Sequence, residues 1–263
     1  MLSSRDRMFS VKFGKTLVIG MGEVGGPLAT VLEREAPVLK LDIEPQQISG
    51  PIDVMHVCFP YRSDEQFISA ASDYVRHFRP SLTIINSTVV PGTTRAIAGL
   101  TSTRVAYSPI RGKHQQMAAD IRRYTKFVAA EDPKVAEAAE RHFQAAALIT
   151  KRIARTETLE LAKLAETSYF GVLIAFAQEL NRYAERLGGD YGEAASFFEE
   201  VDFLPRCKYF PGFIGGHCVI PNTELLLRVA ESPLLQAVLD SNQRRAVELD
   251  ATSEPKVRVT GKP

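Results

Sequence analysis

The sequence has few of the features that mark specialised protein classes. It holds three cysteines in 263 residues, an odd number with no CxxC pair, so a disulfide framework is not expected. Its formal net charge of +1 gives no electrostatic reason to bind nucleic acid or an anionic membrane. Its longest apolar run, residues 170–177, is too short to span a bilayer. We therefore predict a reduced, cytoplasmic protein with neither kind of partner.

Metal-ligand patterns are equally scarce. The five histidines are scattered, and the sequence contains neither HxxxH nor CxxC, so no metal site is predicted. What remains is typical of a globular protein, with 45% hydrophobic and 24% charged residues. The length suits one large domain or two of ordinary size.

A glycine-rich turn lies between a predicted strand and a predicted helix in the first half. The β-branched run KTLVIG leads into GMGEVGG, which puts a GxGxxG motif at Gly20, Gly22 and Gly25. The first glycine makes the tight turn, the second admits a pyrophosphate, and the third lets the helix pack closely on the strand. Glu23 and Val24, inside the turn, complete the predicted cofactor-binding segment.

A second predicted strand ends in an acidic residue. The stretch PVLKLDIEP places Asp42 seventeen residues after Gly25. A carboxylate at this position can accept hydrogen bonds from both ribose hydroxyls, and it would repel a 2′-phosphate. The cofactor is therefore predicted to be NAD rather than NADP.

Strands and helices continue to alternate to about residue 154. This pattern predicts an α/β fold with a doubly wound parallel, Rossmann-type sheet, whose ligands bind at the carboxyl ends of the strands. The candidates at those ends include Pro60 and Tyr61 after one strand and Ser87 and Thr88 after the next. We predict a dinucleotide-binding domain over residues 1–154.

The second half is predicted to be helical. A helix over 156–187 is uninterrupted except by Gly171. Its apolar side chains from Leu161 to Leu180 are predicted to form one face. Its length of roughly 48 Å suggests that it also packs against a second copy of the chain, as a homodimer. Lys163 breaks the apolar pattern. A smaller helical domain for dimerisation and catalysis is predicted over 155–250, with further helices near 191–201 and 233–249 and a disordered tail at 251–263.

A loop rich in glycine, GFIGGHCVIPN, lies between those two further helices. Gly215 and Gly216 precede Cys218, and Pro221 follows it. Glycines allow dihedrals that are closed to other residues and let the backbone approach a ligand closely. The loop is therefore predicted to present Cys218 as a reactive thiol, and the alternative is a cysteine packed beneath the loop.

Four stretches together resemble the UDP-glucose/GDP-mannose dehydrogenase family: GMGEVGG, NSTVVPGTT, ELAKLAETSYFGVLIAFAQEL and PGFIGGHCVIPN. The resemblance runs from about Lys15 to about Val247 and implies a short form without the family's C-terminal nucleotide-binding domain. It also implies oxidation of a sugar alcohol to a carboxylate with two NAD. On this resemblance Cys218 is the nucleophile, Lys163 stabilises the oxyanion and Thr88 lies near the nicotinamide or the water.

Three positions depart from the family pattern. Ile110 stands where relatives carry a glutamate, Thr167 where they carry an asparagine, and Asn222 where they carry an aspartate. Asn222 is a neutral amide and cannot act as a base. An anionic substrate is predicted to contact Arg111, Lys113 and His114 of the basic stretch IRGKH, together with Gly215 and Gly216. A solvated basic loop is the alternative for IRGKH.

Three functions remain open on the sequence. The first is an NAD-dependent dehydrogenase of a sugar or another small anionic substrate, with His114 or His217 as the base. The second is a single two-electron oxidation of hydroxyacid type, with Lys163 transferring the proton. The third is a non-catalytic NAD-binding relative, which would need neither Cys218 nor Lys163, so an enzyme is favoured.

Overall fold

The computed structural model of the protein describes residues 14–34, 36–43, 48–202 and 209–253. The chain divides into two compact units between Lys163 and Leu164, inside a long helix. One of the three cysteines, Cys207, and the part of the predicted tail after Ser253 lie outside the described residues. None of the helices within the described ranges is both long and apolar enough to cross a membrane.

The first unit is a sheet of seven strands with helices on both faces. Its elements in chain order are β1 (Thr16–Ile19), α1 (Gly25–Leu32), β2 (Val38–Leu41), β3 (Val54–Val57), α2 (Asp64–Phe78), β4 (Leu82–Ile85), α3 (Thr93–Thr101), β5 (Val105–Tyr107), a 3-10 turn (His114–Gln116), α4 (Met117–Arg123), β6 (Lys126–Ala129), α5 (Pro133–Ala145) and β7 (Thr150–Ile153). The long helix α6 (Thr156–Leu187) starts in this unit.

The strand order is β2-β1-β3-β4-β5-β6-β7. The predicted doubly wound α/β fold is confirmed, with one difference: β5 and β6 are antiparallel and meet where Tyr107 pairs with Ala129. The connection between them stays at the carboxyl end of β5, so β6 starts at that end and runs back. The strand order switches direction between β1 and β3, which is where doubly wound sheets bind nucleotides.

Two buried apolar clusters cover the faces of this sheet. Successive side chains of a strand point to opposite faces. Val18 of β1 therefore packs with Leu28 of α1 on one face, while Leu17 packs with Phe67 of α2 on the other. Burial on both faces explains why β1, β3 and β4 read as nearly continuous apolar runs.

The second unit consists of helices. After the rest of α6 it contains α7 (Tyr191–Ser196), a 3-10 turn (Phe197–Glu200), α8 (Val219–Val229) and α9 (Pro233–Ser253). Helix α8 was not predicted, because the sequence pattern assigns Pro221 to the glycine-rich loop GFIGGHCVIPN. Pro221 is in fact the third residue of α8, where the first-turn N–H groups have no partner within the helix and proline is tolerated. Helix α9 extends past residue 250, where the disordered tail was predicted to begin.

The predicted single apolar face of α6 is wrong. Leu164 and Ala177 are buried, but Leu161, Phe170 and Phe176 are exposed. The buried side of the helix instead carries small and polar residues: Ser168, Gly171, Ala175, Gln178 and Arg182. A glycine is required within this stripe, since a Cβ at Gly171 would lie 2.9 Å from Val219 Cγ1 and 3.2 Å from Val238 Cγ1.

Candidate active site

The glycine turn between β1 and α1 has the geometry of a dinucleotide-binding turn. Gly20 has a φ of +87°, and a Cβ there would lie 2.7 Å from the backbone nitrogen of Phe59. A Cβ at Gly25 would lie 1.8 Å from the carbonyl oxygen of Gly20, so helix and strand touch at this point. A Cβ at Gly22 would meet no atom within 4 Å, which leaves room for a pyrophosphate.

The surroundings of this turn are suited to an anionic group. Gly22 and Glu23 are exposed and Val24, the N-cap of α1, is half-buried. The first turn of α1, which starts at Gly25, contains no acidic residue, and the positive end of the helix dipole lies there. Asp42 is exposed directly after β2, and the Gly20 N–H donates to the carbonyl of Leu41 at 2.8 Å. The glycine turn and the acidic residue are therefore neighbours.

The ends of β3 and β4 are joined by a side chain. Ser87 Oγ donates to the carbonyl of Phe59 at 2.6 Å. Pro60 is exposed at the end of β3, and Tyr61 is half-buried with its ring 5.4 Å from that of Phe67. Thr88 is half-buried. Of the predicted cofactor residues here, Ser87 thus has a structural partner, whereas Pro60 presents its surface to solvent.

The segment after β5 differs from the sequence expectation. Ile110, which stands where relatives carry a glutamate, is 5% exposed and belongs to the apolar core. This position therefore has a packing role and supplies no polar group. Arg111 donates from Nη2 to the Thr125 carbonyl at 2.9 Å and lies over the ring of Phe127. Lys113 is exposed. The side chain of His114 lies outside what the structure describes. In this segment Ile110 and Arg111 therefore pack against the protein, whereas Lys113 faces solvent.

A buried polar network that was not predicted ties these strand ends together. Asn86 donates from Nδ2 to the Ser108 carbonyl at 2.6 Å, and its Oδ1 lies 2.8 Å from His56 Nδ1. Lys126 donates from Nζ to the carbonyls of Ser108 and Pro109 at 2.7 and 2.8 Å. The sequence signal was present, since polar side chains inside otherwise apolar strands need buried partners.

Lys163 lies near this network. Burial lowers the pKa of Lys126 well below its usual value, and the charges of Lys163 and Arg111 lower it further. Lys163 and Arg111 are therefore each close enough to Lys126 to disfavour its charged form. Lys163 and Thr167 are both half-buried and lie one turn apart on α6.

Two buried histidines next to this network predict loss of stability in acid. His56 Nε2 lies 2.9 Å from His142 Nε2. Burial lowers the pKa of His142 to about 4, and burial together with His142 lowers that of His56 well below its usual value. Below the usual histidine pKa of about 6.5, these two histidines bind protons in the unfolded chain but stay neutral in the folded protein. The free energy of unfolding should fall as the pH falls from 6.5 towards 4, by about 3 kcal/mol for His142 alone.

Thermal unfolding measured at several pH values in this window tests the expectation. His142→Gln leaves His56 a hydrogen-bonding partner but removes one titrating group, so the decline should become shallower. His77→Gln, at an exposed position of α2, should leave the decline unchanged. An equally steep decline in His142→Gln and the parent protein would contradict the assignment.

The cysteine loop lies in the second unit and exposes its thiol. Cys218 is exposed at the N-cap of α8. Gly215 and Gly216 before it are exposed, and Gly216 has a φ of +85°. Asn222 is buried one turn into α8, and its backbone N–H donates to the Cys218 carbonyl at 3.0 Å. The alternative of a cysteine packed beneath the loop is therefore wrong. Cys58 provides the contrast, because burial raises its pKa to about 12.

Comparison with known proteins shows which family part of this chain resembles. Residues 157–244 match the model of the central domain of the UDP-glucose/GDP-mannose dehydrogenase family. The resemblance to this family is confirmed. The matched region includes Lys163, Thr167, Cys218 and Asn222, so two of the positions that depart from the family pattern, Thr167 and Asn222, lie within it.

Individual relatives extend the match over most of the chain. UDP-N-acetyl-D-mannosamine dehydrogenase of Methanocaldococcus jannaschii is 28% identical over 69% of this chain and 45% of its own length. The structure of UDP-D-ManNAc dehydrogenase from Pyrococcus horikoshii has a TM-score of 0.79 and 21% identity, over 90% of this chain and 70% of the other. A Mycobacterium tuberculosis 3-hydroxyisobutyrate dehydrogenase structure has a TM-score of 0.72 and 18% identity, over 90% of this chain and 94% of the other. The chain thus spans about half the length of the first of these relatives.

Proposed function

We propose that this chain is an NAD-dependent dehydrogenase that oxidises the sugar alcohol of a nucleotide sugar. The observation that carries the proposal is the family match over residues 157–244, which includes Lys163 and Cys218. The open space at Gly22 and the neighbouring Asp42 support NAD as the cofactor, because they fit a pyrophosphate and a ribose without a 2′-phosphate. NAD, when bound, accepts the hydride from the carbon that is oxidised.

The roles proposed for the protein side chains are those that the family resemblance implies, and the chemistry of each residue type agrees with them. After a first two-electron oxidation gives an aldehyde, the Cys218 thiolate attacks the carbonyl carbon and a thiohemiacetal forms. The Lys163 ammonium stabilises the negative oxygen of this adduct. Transfer of a second hydride to a second NAD would give a thioester, and water would cleave it to the carboxylate while the thiol is regenerated. Thr88 orients the water or the reacting carbon.

The substrate is recognised through its negative charge. Lys113 is exposed and Arg111 and Lys163 add positive charge to the first unit, which suits the phosphates of a nucleoside diphosphate. Burial of Ile110 and the amide at Asn222 leave the general base to another group. His217, which is exposed next to Cys218, is the candidate in the described part of the loop.

The test is turnover with NAD and a panel of candidate alcohols. NADH formation should be followed with UDP-N-acetyl-D-mannosamine, UDP-glucose, GDP-mannose, 3-hydroxyisobutyrate and L-serine. Two NADH per molecule of a nucleotide sugar is the expected result. NAD binding without turnover of any nucleotide sugar would contradict the proposal.

A second candidate is a single two-electron dehydrogenase of a hydroxyacid. It is favoured by the match to 94% of the 3-hydroxyisobutyrate dehydrogenase chain, a more complete coverage than that of the nucleotide-sugar enzymes above. In this case Lys163 transfers the proton and Cys218 has no role in the reaction. One NADH per hydroxyacid, with turnover kept in Cys218→Ser, would identify this function.

Cofactor choice should depend on Asp42. Replacing Asp42 with alanine removes the acceptor for the ribose hydroxyls and the charge that repels a 2′-phosphate. We expect NAD affinity to fall by about tenfold, or about 1.4 kcal/mol, while NADP affinity stays the same or rises. Isothermal titration with both cofactors measures this. NADP binding as tightly as NAD to the unchanged protein would exclude the assignment.

We further propose that the working unit is a homodimer formed through α6. Exposed or half-exposed apolar side chains recur along this helix with the alternating four- and three-residue spacing of a coiled-coil seam. They are Tyr169, Leu173, Phe176, Leu180, Tyr183 and Leu187. This seam lies opposite the buried stripe of α6, and in the proposed dimer the same seam of a second copy packs against it.

Phe176→Glu should therefore convert the protein to a monomer. A charge at the middle of the seam would be buried without a partner in the dimer. Glu185→Lys changes an exposed charge away from the seam and should leave the assembly intact. Light scattering at micromolar concentration gives the mass, and a monomeric parent protein would refute the dimer.

A further inference from the structure

Two buried carboxamides hold the loop that ends in Cys218. Asn242 of α9 is 5% exposed and Gln178 of α6 is fully buried. Asn242 accepts from the Ile214 N–H at 2.7 Å through Oδ1 and donates to the Ile214 carbonyl at 3.1 Å through Nδ2. Gln178 donates from Nε2 to the Gly212 carbonyl at 2.7 Å. Side chains of two helices thus hydrogen-bond to the backbone on both sides of Phe213.

The orientation of Gln178 is set by a neighbour. Ser241 Oγ donates to Gln178 Oε1 at 2.9 Å. The Gly212 carbonyl can only accept, so the amide nitrogen of Gln178 must face it, and Oε1 is then placed to accept from Ser241. A side chain that can be satisfied in only one orientation makes a specific anchor.

The anchor lies close to the thiol along the chain. Ile214 is buried and packs with Val219 and Val238, whereas Gly215, Gly216 and His217 are exposed. Beyond Cys218 the backbone is fixed again by α8. The thiol therefore sits at the end of a short exposed segment that is fastened at Ile214 on one side and by a helix on the other.

We infer that Asn242, assisted by Gln178, is a positioning residue that sets where the Cys218 thiol lies. This rests on the proposed function, in which Cys218 attacks an aldehyde. The bidentate pair with Ile214 limits rotation of the glycine segment, and a displacement of about 1 Å at a nucleophile can lower a rate about 10²-fold. Neither Asn242 nor Gln178 contacts the reacting atoms in this role.

The test compares two changes at Asn242 with a control on the same helix. Asn242→Leu keeps the approximate volume and leaves both backbone groups of Ile214 without the carboxamide. Asn242→Asp keeps an acceptor for the Ile214 N–H and loses the donor to its carbonyl. Ser232→Ala removes the side chain that caps α9 by accepting from Leu235 N at 3.3 Å. It should lower stability by about 1 kcal/mol without touching the loop.

We expect kcat to fall about 10²-fold in Asn242→Leu and less in Asn242→Asp, with NAD affinity unchanged in both. Ser232→Ala should keep the parent kcat. Iodoacetamide labelling of Cys218 and hydrogen exchange at the Ile214 amide should both change in the Asn242 variants. A parent-like kcat, labelling rate and exchange rate in folded Asn242→Leu would overturn the inference, as would an equal loss of kcat in Ser232→Ala.

The same measurements separate this inference from the proposed function. If the parent protein oxidises nothing in the panel, the proposed function fails, yet the labelling and exchange rates still report whether Asn242 positions the loop. Altered rates in Asn242→Leu with parent-like rates in Ser232→Ala would then support the positioning role. Parent-like labelling and exchange rates in Asn242→Leu would contradict the positioning role.

Discussion

Replacing Cys218 with serine should stop NAD-dependent oxidation of a nucleotide sugar. At neutral pH a serine hydroxyl is almost entirely protonated and is a far weaker nucleophile than a cysteine thiolate. We expect kcat to fall by at least about 10⁴-fold, as after loss of other catalytic nucleophiles. Because Cys218 is exposed, the substitution should leave both stability and NAD affinity unaltered. Steady-state kinetics and isothermal titration measure the two quantities.

The other described cysteine provides the control. Cys58 is 7% exposed and burial raises its pKa to about 12, so it should be unreactive at neutral pH. Iodoacetamide should label Cys218 faster than Cys58, and NAD should change the rate at Cys218. Cys58→Ala should keep turnover. Slow labelling of Cys218 that ignores NAD, together with an active Cys218→Ser variant, would refute the nucleophile and leave the two-electron reaction of Lys163.

The two glycines of the cofactor turn should respond in opposite ways to alanine. In Gly25→Ala the new Cβ would lie 1.8 Å from the Gly20 carbonyl oxygen, so helix α1 must move away from β1. Such an overlap against backbone is expected to destabilise the fold by about 3 kcal/mol. In Gly22→Ala the Cβ meets no protein atom within 4 Å, so the fold should persist. The methyl group would instead occupy the space for the pyrophosphate and weaken NAD binding by about tenfold or more.

Thermal unfolding and isothermal titration of both variants test this contrast. Gly99→Ala is the matched control, since Gly99 is exposed on α3 and its Cβ would also meet nothing within 4 Å. It should gain about 0.5–1 kcal/mol from better helix propensity and bind NAD normally. Parent-like NAD affinity in Gly22→Ala would place the pyrophosphate elsewhere.

Local patterns in the sequence were enough to predict the α/β fold and to locate the glycine turn on which the candidate site is built. The turn from Gly20 to Gly25, the acidic end of β2 and the unbroken helix 156–187 each depend on neighbours only a few residues away. Backbone sterics at glycine, strand burial on both faces and helix periodicity act at that range. Because these signals are local, they could be recognised without knowing which elements pack together.

The tertiary structure alone decided which side chains are buried and which polar groups pair. Ile110 becomes part of the core, and α6 turns its small and polar side chains inward. His56 meets His142 from 86 residues away, and Asn242 meets Ile214 from 28 residues away. A polar residue in a sequence predicts that some partner is needed, since an unpaired buried group costs about 1–3 kcal/mol. Which partner it finds depends on how distant helices and strands pack, and no local pattern contains that information.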